Sequence, residues 1–71
     1  MRAEIISIGN ELLSGDTLNT NTYYITTRLT ELGIDVFYHT SVNDDVHILK
    51  DVIDISLRRV DLVIFTGGLG P

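Results

Sequence analysis

Apolar residues fall along the chain in blocks with two different rhythms. In Ala3 to Gly9 (AEIISIG), Ile5, Ile6 and Ile8 do not alternate cleanly with polar positions. A strand covered on both faces has that pattern. Ile34 to Val42 (IDVFYHTSV) is strongly β-prone, with Val36, Phe37 and Tyr38 at its centre, and Asp61 to Thr66 (DLVIFT) reads as a further apolar strand. The intervening segments keep a helical period. From Asn21, Ile25, Leu29 and Leu32 recur at helical spacing, Gly33 follows as a stop, and Asn19 or Thr20 is placed to cap the start. Asn43, Asp44 and Asp45 supply a turn and a second cap. Val46, Leu49, Ile53 and Leu57 then share one stripe of Asp45 to Arg59, widened by Val52 and Ile55. Arg58 and Arg59 read as a solvated helix end that complements the dipole.

The order is β-α-β-α-β, which predicts parallel strands joined by right-handed crossovers. The expected class is α/β, a three-layer doubly wound parallel sheet with helices on both faces. Three strands and two helices are half of a typical domain of this kind, so the chain is expected to be the N-terminal part of a single larger domain. Its 71 residues support that reading, because a chain so short buries only roughly 60% of its unfolded surface. There is no Cys, so no disulfide compensates.

Five Lys and Arg against ten Asp and Glu give a net charge of -5. A general nucleic-acid or anionic-membrane surface needs a basic footprint, and none is present. No apolar stretch approaches the ~20 residues of a membrane span, and MRAEIIS lacks the basic-then-apolar form of a secretory signal. The expectation is a cytoplasmic protein. A small phosphorylated ligand stays compatible with negative charge, since backbone N–H groups bind it without cationic side chains.

In a parallel sheet, all loops leaving strand C-termini lie along one edge, where ligands of open α/β sheets bind. Three loops qualify here: Gly9 to Thr20, Asn43 to Asp45, and Thr66 to Pro71. They hold five of the six glycines. In the first, Gly9 and Gly15 permit close turns, and a short helical turn is expected at Glu11 to Leu13. Leu12 and Leu13 are expected to anchor this loop, with Glu11 facing the crevice. Asn19, Thr20 and Asn21 lead into a helix whose first N–H groups favour an anion; capping and ligand contact are both open to them. The last loop, TGGLGP, lacks the Lys-Ser/Thr of a P-loop, yet its glycines would expose N–H groups at the same edge. A plain tight turn is the alternative. Asp44 is either part of the turn or a metal or ribose contact. His39 is expected to be packed or at the surface rather than a ligand. Tyr23 and Tyr24 are expected to pack, with stacking on a base as the alternative.

AEIISIGNELLSGDTLNTN, ELGIDV, SVNDD and DLVIFTGGLGP together resemble the N-terminal domain of the CinA (competence/damage-inducible) family. That domain lies within the wider molybdopterin-binding superfamily of molybdenum-cofactor biosynthesis. The resemblance covers essentially the whole chain. It implies a sheet that continues past this segment, a dimer or trimer, and metal-dependent hydrolysis of ADP-ribose to AMP and ribose 5-phosphate. Relatives bind molybdopterin at the same edge, and some adenylylate it, which is the alternative function; a non-catalytic binding or assembly fragment is another. By position in the motifs, the resemblance assigns ligand contacts to Gly9, Asn10, Gly15, Asn19, Thr20, Asn21, Thr66, Gly67, Gly68, Leu69 and Gly70. Glu11 becomes the catalytic candidate and, with Asp44, the candidate holder of Mg²⁺, Mn²⁺ or Co²⁺. Asn10 stands where Thr is frequent in the family. The family pattern runs on after Pro71 with a Thr and an acidic pair, the expected further ligands, so the 71-residue chain alone is expected to be inactive.

Overall fold

The computed structural model describes residues 1–9 and 20–67, with the side chains of Thr20 and Asn21 left out. Within them the elements are β1 (Arg2–Ile8), α1 (Thr20–Glu31), β2 (Asp35–Val42), α2 (Val46–Arg59) and β3 (Leu62–Gly67). The expected turn at Glu11 to Leu13 lies outside the described residues.

The three strands form one parallel sheet in the order β2-β1-β3. The first crossover moves the chain one way from β1, and the second carries it back past β1 to the other side. Right-handed crossovers in opposite directions put their helices on opposite faces. The contacts agree: Thr22 of α1 meets Ser7 on one face of β1, whereas Arg59 of α2 meets Glu4 on the other. This is the doubly wound α/β arrangement. Because β1 is central and covered twice, Ala3 to Ile8 are all buried, as the broken alternation in that strand predicts.

Ile6, Ile8 and Val42 form the buried apolar cluster, with Leu49, Val52 and Val63 packed against it. The contact stripe of α2 is the expected one only in part: Leu49 and Val52 pack as expected and Ile53 is half-buried. Val46, Ile55 and Leu57 are exposed, while Ser56 is fully buried. The face is turned toward Val52, Ser56 and Arg59 because a carboxylate, not a hydrocarbon, lies beneath the last turns of the helix. On α1, Thr22 is buried and Ile25 and Leu29 are half-buried. Leu32, expected on this stripe, is exposed because it follows the last helical residue. Tyr23 and Tyr24, expected to pack, are also exposed.

Local chemistry sets the helix ends. Asp45 Oδ1 accepts from the Nα of His47 at 2.8 Å and of Ile48 at 3.2 Å, capping α2 as expected. At the end of α1, Ile34 N donates to Leu29 O (2.9 Å) and Gly33 N to Thr30 O (3.0 Å), with Gly33 at φ 80°. These paired bonds are a Schellman stop, and its left-handed residue is the glycine the sequence pattern nominated.

Glu4 is fully buried in β1. Arg59 binds it through two bonds, Nε to Oε1 at 2.9 Å and Nη2 to Oε2 at 2.7 Å, and Thr40 Oγ1 donates to Oε2 at 2.6 Å. The guanidinium also lies 3.8 Å from the centroid of the Tyr38 ring. A register shift in β2 helps to build this group. Ala3 pairs with Val36 but Glu4 with Tyr38, leaving Phe37 without a counterpart and setting Tyr38 on the Glu4 row. Arg59 is thus a structural partner of a buried charge, which corrects the expectation of a solvated helix end.

The Arg59 hydrogen bonds, opposed by burial and helped by Thr40, lower the Glu4 pKa below its ordinary 4.5. A lowered folded pKa stabilises the protein fully above about pH 4.5 and ceases to do so as pH falls through the folded value. Thermal melts of the full-length protein should therefore lose stability below that pH, with a shallower acid limb in Glu4→Gln. Arg59→Met, which strands the buried carboxylate, should lower Tm by roughly 5–10 °C. The Glu4→Met/Arg59→Met pair should lie closer to the parent.

Candidate functional site at the carboxyl edge of the sheet

The carboxyl ends of the three strands converge because the ladder keeps them level. Ile8 pairs with Val42 on one side and with Gly67 on the other, and Gly9 N donates to Val42 O at 3.0 Å. Strand order reverses across β1, so the junction of β1 with β3 is a topological switch point.

Gly67 marks that junction. It has φ 77°, and a Cβ there would fall 2.5 Å from the backbone oxygen of Ile8. A residue with a side chain is thus excluded twice, by backbone conformation and by contact with an immovable carbonyl. The tight approach keeps the end of β3 as bare backbone beside β1. Gly9, buried at the end of β1, likewise adopts a positive φ of 148°.

Just below the edge, on the α1 face, side chains of four elements meet. Ser7 Oγ lies 3.1 Å from His39 Nε2 and 3.4 Å from Thr22 Oγ1, and His39 Nε2 lies 3.3 Å from Thr22 Oγ1. Thr66 Oγ1 donates to Ser7 Oγ at 3.3 Å. Ser7 and Thr22 are buried, Thr66 is half-buried and His39 is exposed. The group joins β1, β2 and β3 to the first turn of α1.

Of the residues nominated from sequence, Gly9, Thr66 and Gly67 lie together at this edge, and Thr20 and Asn21 open α1. Asp44 is exposed in the segment between β2 and α2. Asn10, Glu11, Gly15, Asn19, Gly68, Leu69 and Gly70 lie outside the described residues. Among the described residues no three His, Asp or Glu side chains are grouped to hold a metal. Asp44 does not make a cation site by itself. Ser7, Thr22 and the bonding role of His39 were missed in the sequence. A usable signal was present: a serine inside a strand covered on both faces must find hydrogen-bond partners there.

The edge, the switch point and the two-faced sheet define an open, doubly wound α/β domain. The chain matches the family described as probable molybdopterin binding domain over residues 4–71, and it belongs to that family. It is 56% identical over 71 residues to a CinA-like protein of Dictyoglomus thermophilum. Identity is 55% over the same length to a putative competence-damage inducible protein of Caldicellulosiruptor saccharolyticus. It also resembles the crystal structure of the protein CinA, with unknown function, from Thermoplasma acidophilum, at a TM-score of 0.92 and 40% identity, over 99% of this chain. The chain spans 17% of the length of each of the two curated relatives and 41% of the solved chain. No described helix is long and apolar enough to cross a membrane.

Replacing Gly67 by Ala should destabilise the full-length protein by about 1–3 kcal/mol from backbone strain alone, measured by urea denaturation. Asp45→Ala, which removes only the α2 cap, should cost about 1 kcal/mol.

Proposed function

We propose that the carboxyl edge binds a small phosphorylated ligand and that, in the full-length protein, it serves metal-dependent hydrolysis of ADP-ribose to AMP and ribose 5-phosphate. The observation that carries this reading is Gly67, held with positive φ against the Ile8 carbonyl at the switch point. Backbone brought that close, with no side chain allowed, suits a ligand bound through main-chain N–H groups. The α1 N-terminus, opening at Thr20 beside the same edge, adds donors of the same sign.

In the proposed reaction the diphosphate rests on the glycine loop, Gly67 to Gly70, and on Asn19 to Asn21 at the start of α1. Glu11 orients the attacking water or holds a divalent cation, with Asp44 as a further holder. The cation would neutralise phosphate charge and lower the pKa of the water. A second reading, binding or adenylylation of molybdopterin, is favoured by the family match. Both use the same edge, and they differ in the ligand.

Thermal shift of the full-length protein separates the two. A ligand present at about 100 times its Kd stabilises by about 2.7 kcal/mol, so ADP-ribose should raise Tm by several degrees. A shift with molybdopterin and none with ADP-ribose would transfer the proposal to the second reading. Glu11→Gln should lower hydrolysis at least about 100-fold with Tm retained. Normal hydrolysis and metal affinity in that variant would remove Glu11 from its role.

A further inference from the structure

We infer that Thr22 and His39, working with Ser7, are positioning residues that hold the first turn of α1 against the sheet. The helix start and the end of β3 then face a ligand in a fixed relation. The inference rests on the reading of the carboxyl edge as a ligand site. Among the described side chains of α1, Thr22 alone is buried; Ile25, Thr26 and Leu29 are half-buried and the others exposed. Hydrocarbon therefore seats the middle of the helix, whereas its first turn is seated on a hydroxyl. Valine has the shape of threonine and would fill that place with no polar atom to desolvate. What the hydroxyl adds is contacts with a narrow range of geometry.

Those contacts reach two strands. Thr22 Oγ1 lies 3.4 Å from Ser7 Oγ on β1 and 3.3 Å from His39 Nε2 on β2, and the latter two atoms are 3.1 Å apart. The three atoms close a triangle, and a slide of α1 along the strands or across them lengthens one of its two contacts. This holds whichever atom donates in each. Ser7 also accepts from Thr66 Oγ1 at 3.3 Å. Ser7 pairs with Thr66 in the ladder, directly before Ile8 and Gly67, whose close approach fixes the bare backbone of β3. The start of α1 is thus referenced to the same two strands that make the tight junction. A diphosphate lying between the helix start and the glycine loop would find the helix donors already in place, with no cost of ordering them on binding.

Amide hydrogen exchange and calorimetric titration with ADP-ribose, both on the full-length protein, test this. Without ligand, Thr22→Val and His39→Ala should each speed exchange of the Tyr24, Ile25 and Thr26 amides about tenfold and leave the β1 amides unchanged. Each should also weaken ADP-ribose binding about tenfold, the cost of ordering roughly one residue again on binding. Thr22→Ser, which keeps the hydroxyl, should behave as the wild type in both. The Thr22→Val/His39→Ala pair should be no more than about threefold weaker than the weaker single variant, because both changes open one triangle. His39 is exposed, so its replacement leaves the core intact even if Thr22→Val does not fold. Wild-type affinity in both single variants, even with a lowered Tm, would make these ordinary packing residues and overturn the inference. So would a Thr22→Ser variant as weak as Thr22→Val, or unchanged exchange in the first turn of α1. If the wild type binds no ADP-ribose, the functional reading falls, and the exchange rates alone decide whether the triangle holds the helix start.

Discussion

A carboxylate with no exposed surface sits in the middle strand, and the amino-terminal half of the sheet is organised around neutralising it. Glu4 has neighbours on both sides in the ladder and a helix above it, so water cannot solvate its charge. A lone buried carboxylate would cost several kcal/mol, far more than one hydrogen bond returns. Arg59 answers with two parallel bonds, Thr40 with a third, and Tyr38 receives the far face of the guanidinium. Each partner dictates something nearby. Arg59 fixes where α2 must end, Ser56 becomes the small residue that lets the helix lie close over Glu4, and the register shift at Phe37 sets Tyr38 in place.

That anchored base leaves the opposite end of the sheet to be built from backbone. With α2 locked over Glu4 on one face and α1 held by Thr22 on the other, the ends of β1 and β3 meet side by side. Gly67 accepts a conformation that no side chain tolerates there. One end of the central strand is thus ruled by charge compensation and the other by steric exclusion, and the proposed ligand edge lies at the second.

Much of the fold was legible because it follows from periodicity. The five elements, the Gly33 stop and the Asp45 cap are local matters of spacing and hydrogen-bonding groups, and they appear where the pattern puts them. The contact face of α2 was legible from its apolar stripe only at Leu49, Val52 and Ile53. A helix that covers a carboxylate chooses Ser56 and Arg59 over Leu57, and an apolar count is blind to that. Glu4 itself was a readable warning, as an acid inside a strand predicted to be covered twice requires a partner. The partner's identity depends on residues 55 positions apart in the chain, which spacing does not encode. The Ser7, Thr22, His39 and Thr66 group was hidden for the same reason: Thr66 could be nominated alone from its motif, but its meeting with Ser7, Thr22 and His39 joins residues far apart in the chain. Of the site itself, the glycine positions at strand ends could be read from sequence, and Gly67 now has a physical reason. Glu11, Gly15, Asn19, Gly68 and Gly70 were singled out by their place in the edge loops, and their specific roles, like those of Asn10 and Leu69, rest on motif resemblance.

The most direct test of the account is a crystal structure of the full-length protein grown with ADP-ribose. The expected result is a diphosphate at the carboxyl ends of β1 and β3, within hydrogen-bond reach of main-chain N–H groups following Gly67. Ligand bound at the Glu4 end of the sheet, or on another surface with this edge empty, would contradict it.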